Sequence, residues 1–419
     1  MVNRIKFLLS NYGNIVKNFS YLTLLRLFTI LIPLITYPYL IRVLGTEIYG
    51  KVIFVQAIVA YASIIIQFGF NNIATKEISI HRNDQNKLNM IVSSVLEIKF
   101  FLWLLSLTIL LVSIKFISVA ENDKWLYLFS FGLCFNEFIF PQWYFQGIEK
   151  MGYITIISLI AKLVFLVLIF VVVKTENDYL YVPLFNGLGA FVGGIIALFV
   201  VFKREKVQFS LQSFDKLKYF IKESLPIFAS NIFVSIKDKF SVIFIGSFLG
   251  MESVAIYDLG VKIMNLFLHP VIIVNEAIYP KVTKDKNMTF VIKTIKYTFI
   301  LTVSAIVALQ LSLLPIVKIL IGDNLSEAIL TVRILLIAPV FFTVSYTLSR
   351  NCLIALGYYK YLLNGIILTS LFYLILIGVG YVTNLLSSVQ VFAIITSCVF
   401  LFEMCYRIIV VIKLKLIHF

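Results

Sequence analysis

About twelve apolar stretches of roughly 20 residues or more, joined by short loops, run from one end of this chain to the other. As a helix rising about 1.5 Å per residue, a stretch of that length covers the roughly 30 Å of bilayer hydrocarbon. Hydrocarbon offers no partner for backbone N–H and C=O groups, and a helix satisfies them within the segment. The stretches lie near 19–40, 50–71, 89–115, 125–147, 153–173, 180–202, 224–249, 253–279, 297–321, 329–355, 360–382 and 387–412. With 61% hydrophobic residues, 14% charged residues and a mean hydropathy of +0.99, the chain is far from a soluble domain. The expected fold class is an all-α polytopic membrane protein. No loop could fold by itself, which excludes an enzyme with a separate catalytic domain outside the membrane.

Basic residues alternate sharply between loops. With the N-terminus in the cytoplasm, inner segments collect Arg4, Lys6 and Lys17, then Lys76, Arg82 and Lys87, then Lys150. The link Lys203 to Lys222 is the longest and most basic of them, and Lys281 to Lys296 and the C-terminal Lys413 and Lys415 follow. Outer loops hold only Arg42, Lys51, Lys115, Lys124 and Lys174. Both termini are therefore expected in the cytoplasm, which requires an even number of spans. The net charge of +15 is this orientation signal together with headgroup attraction, and no nucleic-acid partner is expected. The first apolar run ends in no small-residue cleavage site and is expected to stay as a permanent helix. The four cysteines fall inside apolar stretches and imply no disulfide framework.

The chain repeats itself. Leu44-Gly45-Thr46-Glu47 followed by Ile48-Tyr49 returns as Leu249-Gly250-Met251-Glu252 followed by Ile256-Tyr257. Gln146-Gly147-Ile148-Glu149-Lys150 returns as Leu356-Gly357-Tyr358-Tyr359-Lys360 at nearly the same separation. One duplication predicts two lobes of six helices, residues 1–205 and 206–419, related as a parallel repeat around a central cavity. In this register Pro33 of the first helix stands opposite Asp238, proline in one half and charge in the other.

The seventh stretch, Pro226 to Gly250, carries Lys237, Asp238 and Lys239 at its centre. A charge at that depth costs about 2.5–3.5 kcal/mol on insertion scales and normally faces a partner or water. At about 100° per residue these three cannot share one narrow face. Either they fix packing as a buried triplet, or they border a polar cavity. Further intramembrane charges include Arg26, Glu97, Lys99, Glu137, Lys162, Asp258, Lys262, Glu276, Lys318, Arg333 and Glu403. Asp258 and Lys262 stand at i, i+4 and can neutralise each other on one face. Glu97 and Lys99 point in different directions and need partners elsewhere. Bases outnumber acids, which favours a cavity that receives an anion.

Gly45 to Lys51 satisfies the G-x-x-x-x-G-K part of a phosphate-binding loop, but Val52 replaces the metal-binding hydroxyl and no strand precedes it. Metal-ligand spacing and nucleophile elbows are absent, so no metal, no cofactor and no catalytic residue are expected. The glycines of the sixth stretch permit close helix contact. Phe138 to Phe145 is an aromatic run whose Trp and Tyr fit an interfacial belt, or, in the sharper reading, a lipid gate.

Pro38-Tyr39-Leu40-Ile41-Arg42-Val43-Leu44-Gly45 with Tyr49-Gly50 resembles the opening signature of the Wzx-type polysaccharide repeat-unit flippases. So do Phe68-Gly69-Phe70, Trp143 to Met151, Asp238-Lys239, and Ile256-Tyr257-Asp258 leading to Lys262-Ile263. The resemblance implies the exporter superfamily that also holds multidrug extruders and lipid II flippases, with two lobes around a cationic cleft. It implies a substrate of undecaprenyl diphosphate bearing an oligosaccharide, moved from the inner to the outer leaflet of a bacterial plasma membrane. Its partners would be that glycan lipid, the bilayer, and polysaccharide polymerase and chain-length proteins. The family shares no universal catalytic residue, so only the idea of a basic lumen carries over. Arg26, Lys237, Lys239, Lys262 and Arg333 are our candidates for it, and Asp238, Asp258, Glu97 and Glu276 are the acids for any coupled ion.

Two rivals follow from other classes. A drug or cation antiporter of the same superfamily should have a net acidic or aromatic cavity. A polysaccharide polymerase or ligase, the enzyme alternative, should display a sizeable outer loop with paired basic residues. Hydroxyl-recognising side chains have no fixed motif, so O-antigen, capsule and other repeat units stay open.

Overall fold

A computed structural model describes the backbone of residues 2–116, 122–321 and 325–416, and their side chains from residue 20 onward except 236–238 and 325. The chain is helical throughout the long apolar stretches. The first helical run, α1 (Val2–Gln67), is interrupted at Gly45 (φ 76°, ψ 165°), so it is two helices joined at one residue. Next come α2 (Phe70–His81), α3 (Gln85–Phe116), α4 (Lys124–Phe131), α5 (Phe135–Ile139), α6 (Gln142–Gly147), α7 (Met151–Val172) and α8 (Tyr181–Phe199). After the basic link stand α9 (Phe214–Phe248), α10 (Met251–Asp285), α11 (Met288–Leu311), α12 (Leu313–Ile321) and α13 (Leu325–Leu335). The chain closes with α14 (Ala338–Leu348), α15 (Tyr359–Val382) and α16 (Val389–Lys413).

Among the described residues, 9 helices are long and apolar enough to cross a membrane, against the twelve stretches expected. The differences have local causes. The stretches 19–40 and 50–71 run together inside one apolar helical segment, Ser20–His81. The stretch 125–147 is divided by a tight 3-10 turn at Gly132–Cys134 and again at Pro141, whose ring prevents helical bonding to the preceding turn. The stretch 297–321 is cut at Ser312, between α11 and α12. In α9 only Lys239–Phe248 is apolar without interruption, because the central charges lie just before it.

Contacts divide the chain into two compact units, Met1–Ile32 with Val55–Ile232 and Pro33–Phe54 with Phe233–Phe419. This grouping does not follow a cut at 205/206. Each of α1 and α9 contributes to both units, since a helix longer than one packing layer meets different neighbours along its length. In the first unit, Phe70, Ala74 and Ile78 lie at i, i+4 and i+8 on α2 and pack on Trp143, Tyr144 and Phe145. A Cβ at Gly147 would stand 2.5 Å from Ile78 Cγ2, so glycine permits this contact. Trp143, Tyr144 and Phe145 are 0%, 1% and 0% exposed. The aromatic run is thus core, and the interfacial-belt reading is corrected. In the same unit the backbones at Gly132 and Gly187 meet where a Cβ on either would lie within 3.1 Å of the other's Cα.

Within the second unit, Arg42 donates to the Ile319 carbonyl at 2.9 Å and so caps the C-terminal end of α12. Gly50 abuts the start of α10, where a Cβ would stand 1.7 Å from the Met251 carbonyl oxygen.

The internal repeat has a backbone counterpart. Gly45 and Gly250 (φ 94°, ψ 172°) both occupy a region essentially closed to other residues. Neither would bring a Cβ into contact, so backbone freedom and not space selects glycine there. At the second match the structure pairs Glu149 (φ 60°) with Gly357 (φ 84°), two residues off the sequence register. Each left-handed residue is followed by a long closing bond, Lys150 N–H to Phe145 O at 2.9 Å and Tyr358 N–H to Leu353 O at 2.7 Å.

The basic link is held along α3. The Gln208, Ser210 and Gln212 N–H groups donate to Asn89 Oδ1 (2.9 Å), Ser93 Oγ (3.1 Å) and Glu97 Oε1 (2.9 Å). Four helical residues advance about 6 Å and two extended residues advance about 6.6 Å, so the two periods stay in register. Gln85 Nε2 adds a bond to the Lys206 carbonyl at 3.2 Å, and Lys150 pairs with Glu205 at 2.7 Å.

Candidate functional site

The best-formed polar cluster in the second unit is built on α10 and on the part of α1 around Gly45. Lys262 and Asp258, one turn apart on α10, form an ion pair with side chains 21% and 16% exposed. Tyr49 donates from its hydroxyl to Asp258 Oδ2 at 2.9 Å, and Lys262 Nζ lies 3.0 Å from the same hydroxyl. Tyr37 donates to the Ala255 carbonyl at 3.1 Å, which fixes its ring. The two tyrosine rings meet edge to face at 5.2 Å, and the Lys262 ammonium lies 5.4 Å from one centroid and 5.7 Å from the other. One cation is thus enclosed by a carboxylate, a hydroxyl and two π faces, each attractive to it. The Gly45 break and the close approach at Gly50 bring both tyrosines to α10.

The other candidates are dispersed. Arg26 is half-buried in the first unit. Glu97 is also there, 9% exposed, and its Oε1 is taken by the Gln212 N–H. Lys239 and Arg333 are exposed in the second unit, and Glu276 is half-buried on α10. The side chains of Lys237 and Asp238 lie outside the described residues.

Several buried polar groups were not singled out by sequence. Lys99, 1% exposed, donates to the Glu137 carbonyl at 2.8 Å, close to the point where α5 ends before Pro141. A cation there satisfies an end of a broken helix. Arg407 and Glu403, both 8% exposed, pair at 2.5 Å on α16, and Arg407 reaches Ser345 at 2.9 Å. Asn351 donates to Asn275 at 2.6 Å. Tyr37 and Tyr49 flank the repeated Leu-Gly step, the one sequence signal that could have pointed to them.

The family model described as polysaccharide biosynthesis protein matches residues 15–286, more than half of the chain. This chain belongs to the polysaccharide biosynthesis protein family. A relative in Escherichia coli (strain K12) named "Putative O-antigen transporter" is 26% identical over 368 residues, 86% of this chain and 88% of that protein. One of the same name in Shigella dysenteriae is 28% identical over 268 residues, 64% of this chain and 67% of that protein. The fold of this family member is similar to that of the lipid II flippase MurJ in its inward closed conformation. That likeness has a TM-score of 0.77 at 15% identity and covers 95% of this chain and 87% of the other. An inward-facing multidrug resistance transporter of the MATE family gives 0.68 at 15% identity, covering 92% and 98%. The chain is therefore a multi-pass membrane protein with a transporter fold, and these relatives and neighbours are named as transporters or flippases, not as enzymes.

Proposed function

We propose that this protein is a flippase that carries undecaprenyl-diphosphate-linked oligosaccharide from the inner to the outer leaflet of the bacterial plasma membrane by alternating access. The observation that carries the reading is the alignment, over most of the chain, with relatives named as O-antigen transporters. Charge chemistry supports the same cargo. A diphosphate cannot enter hydrocarbon unaided, and lysine or arginine in a wet cleft replaces part of its hydration. Arg26, Lys237, Lys239, Lys262 and Arg333 are the proposed lining of that cleft between lobes 1–205 and 206–419. Both termini lie in the cytoplasm on this reading, which the basic loops support.

A membrane potential negative inside favours outward movement of anionic cargo by about 2.3 kcal/mol per charge per 100 mV, so no ATP site is needed. Asp258 is the acid best placed to couple an ion. Its protonation would release the Lys262 ammonium to a diphosphate oxygen, and its deprotonation would take the ammonium back. Asp238, Glu276 and Glu97 are the other acids on this reading, Glu97 the least free of them because the link occupies it.

The test is transfer across vesicles reconstituted with the purified protein, comparing the glycan-bearing undecaprenyl diphosphate with a lipophilic cationic dye. The glycan lipid should cross and the dye should not. Lys237→Ala with Lys239→Ala should slow the glycan lipid about tenfold, as loss of one charge-assisted contact implies. Dye export with no glycan transfer would establish the antiporter reading instead.

A further inference from the structure

We infer that the link between the halves is an interfacial strap that binds anionic phospholipid through a pinned apolar edge and flanking lysines. Phe209, Leu211 and Phe214 are 51%, 83% and 75% exposed, whereas Val207, at the start of the same segment, is 3% exposed. A loose loop of this composition would fold such side chains inward, because burying one large apolar side chain is strongly favourable. The bonds from Asn89, Ser93 and Glu97 hold alternate N–H groups of this segment against α3, so the backbone cannot roll to hide Phe209 and Leu211. The apolar edge is held outward by construction.

Charge selects the occupant. Lys203, Arg204 and Lys206 precede the edge, and Lys216, Lys218 and Lys222 follow it, all exposed. The acids of the region are Glu205, already paired with Lys150, together with Asp215 and Glu223. Lys216 also reaches Gln212 Oε1 at 2.9 Å, which ties the first turn of α9 to the end of the ladder. Aromatic and leucine side chains among lysines fit the boundary between headgroups and acyl chains of an anionic leaflet. On the orientation proposed above, this is the cytoplasmic leaflet.

The experiment uses full-length protein with Cys398→Ser and Cys405→Ser, an NBD fluorophore on Leu211→Cys, and nanodiscs of phosphatidylcholine with or without phosphatidylglycerol. The label should be blue-shifted and quenched by doxyl-labelled lipid, more so with phosphatidylglycerol. Each of Lys216→Glu, Lys218→Glu and Lys222→Glu should lower the bound-to-free ratio of the strap roughly fivefold. Ser93→Ala with Glu97→Ala should raise the label's mobility, since the edge is then no longer pinned. Emission characteristic of water in both bilayers would overturn the inference. So would shielding that arises only from a second copy of the chain or from an added soluble protein. None of these outcomes depends on flipping, so the strap and the transport reading fail separately.

Discussion

Replacing Glu403 with alanine is expected to destabilise the second unit by about 3–5 kcal/mol, the cost of stranding a buried guanidinium. Glu403 and Arg407 are each 8% exposed and lie one turn apart on α16, and Ser345 of α14 is the only other printed partner of the Arg407 guanidinium. Removing the carboxylate leaves a full positive charge facing one neutral hydroxyl. The thermal midpoint in detergent, followed by size-exclusion, should fall on the order of 5–10 °C. Glu403→Gln keeps an acceptor and should lose less. Glu403→Ala combined with Arg407→Met removes both charges and should recover most of the loss, since an apolar pair of similar volume replaces a buried ion pair with little penalty. A double variant as unstable as Glu403→Ala alone would mean that packing around α16, and not charge, sets the loss.

What was legible in sequence follows from range. Apolar length and the i, i+4 spacing of Asp258 and Lys262 are local, and the structure retains both. The opposite directions of Glu97 and Lys99 were equally local, and each indeed finds a separate partner. The partners themselves are not local. Glu97 reads as an intramembrane acid, yet it is bound to a segment more than a hundred residues later, which no helical period encodes. Trp143 and Tyr144 read as interfacial because their rings are amphipathic. The small side of α2 at Ala74 and the missing Cβ of Gly147 make room for them inside, a complementarity visible only in three dimensions. Hydropathy also overlooked the break inside 125–147, because Gly132 to Cys134 stays apolar while its backbone tightens. Pro141 was the local warning of the second break there.

The cluster around Lys262 gives the second large effect, and it separates structure from transport. Asp258→Ala leaves an ammonium, 21% exposed, with only Tyr49 and two aromatic faces. Removing one partner from a buried pair costs about 3–5 kcal/mol, and partial solvent access should reduce this to roughly 2–3 kcal/mol here. Tyr49→Phe deletes one hydroxyl and should cost about 0.5–1.5 kcal/mol. Lys262→Met with Asp258→Ala removes both charges and should refold to near the parent midpoint. That double variant is the decisive protein, because it is stable and lacks the ammonium. If Lys262 passes from Asp258 to the diphosphate, its transfer of glycan lipid should fall about a hundredfold, more than one charged contact accounts for, because the coupled acid is lost as well. Full transfer by the stable double variant would leave the cluster a brace between α1 and α10, and would remove Lys262 from the proposed lumen.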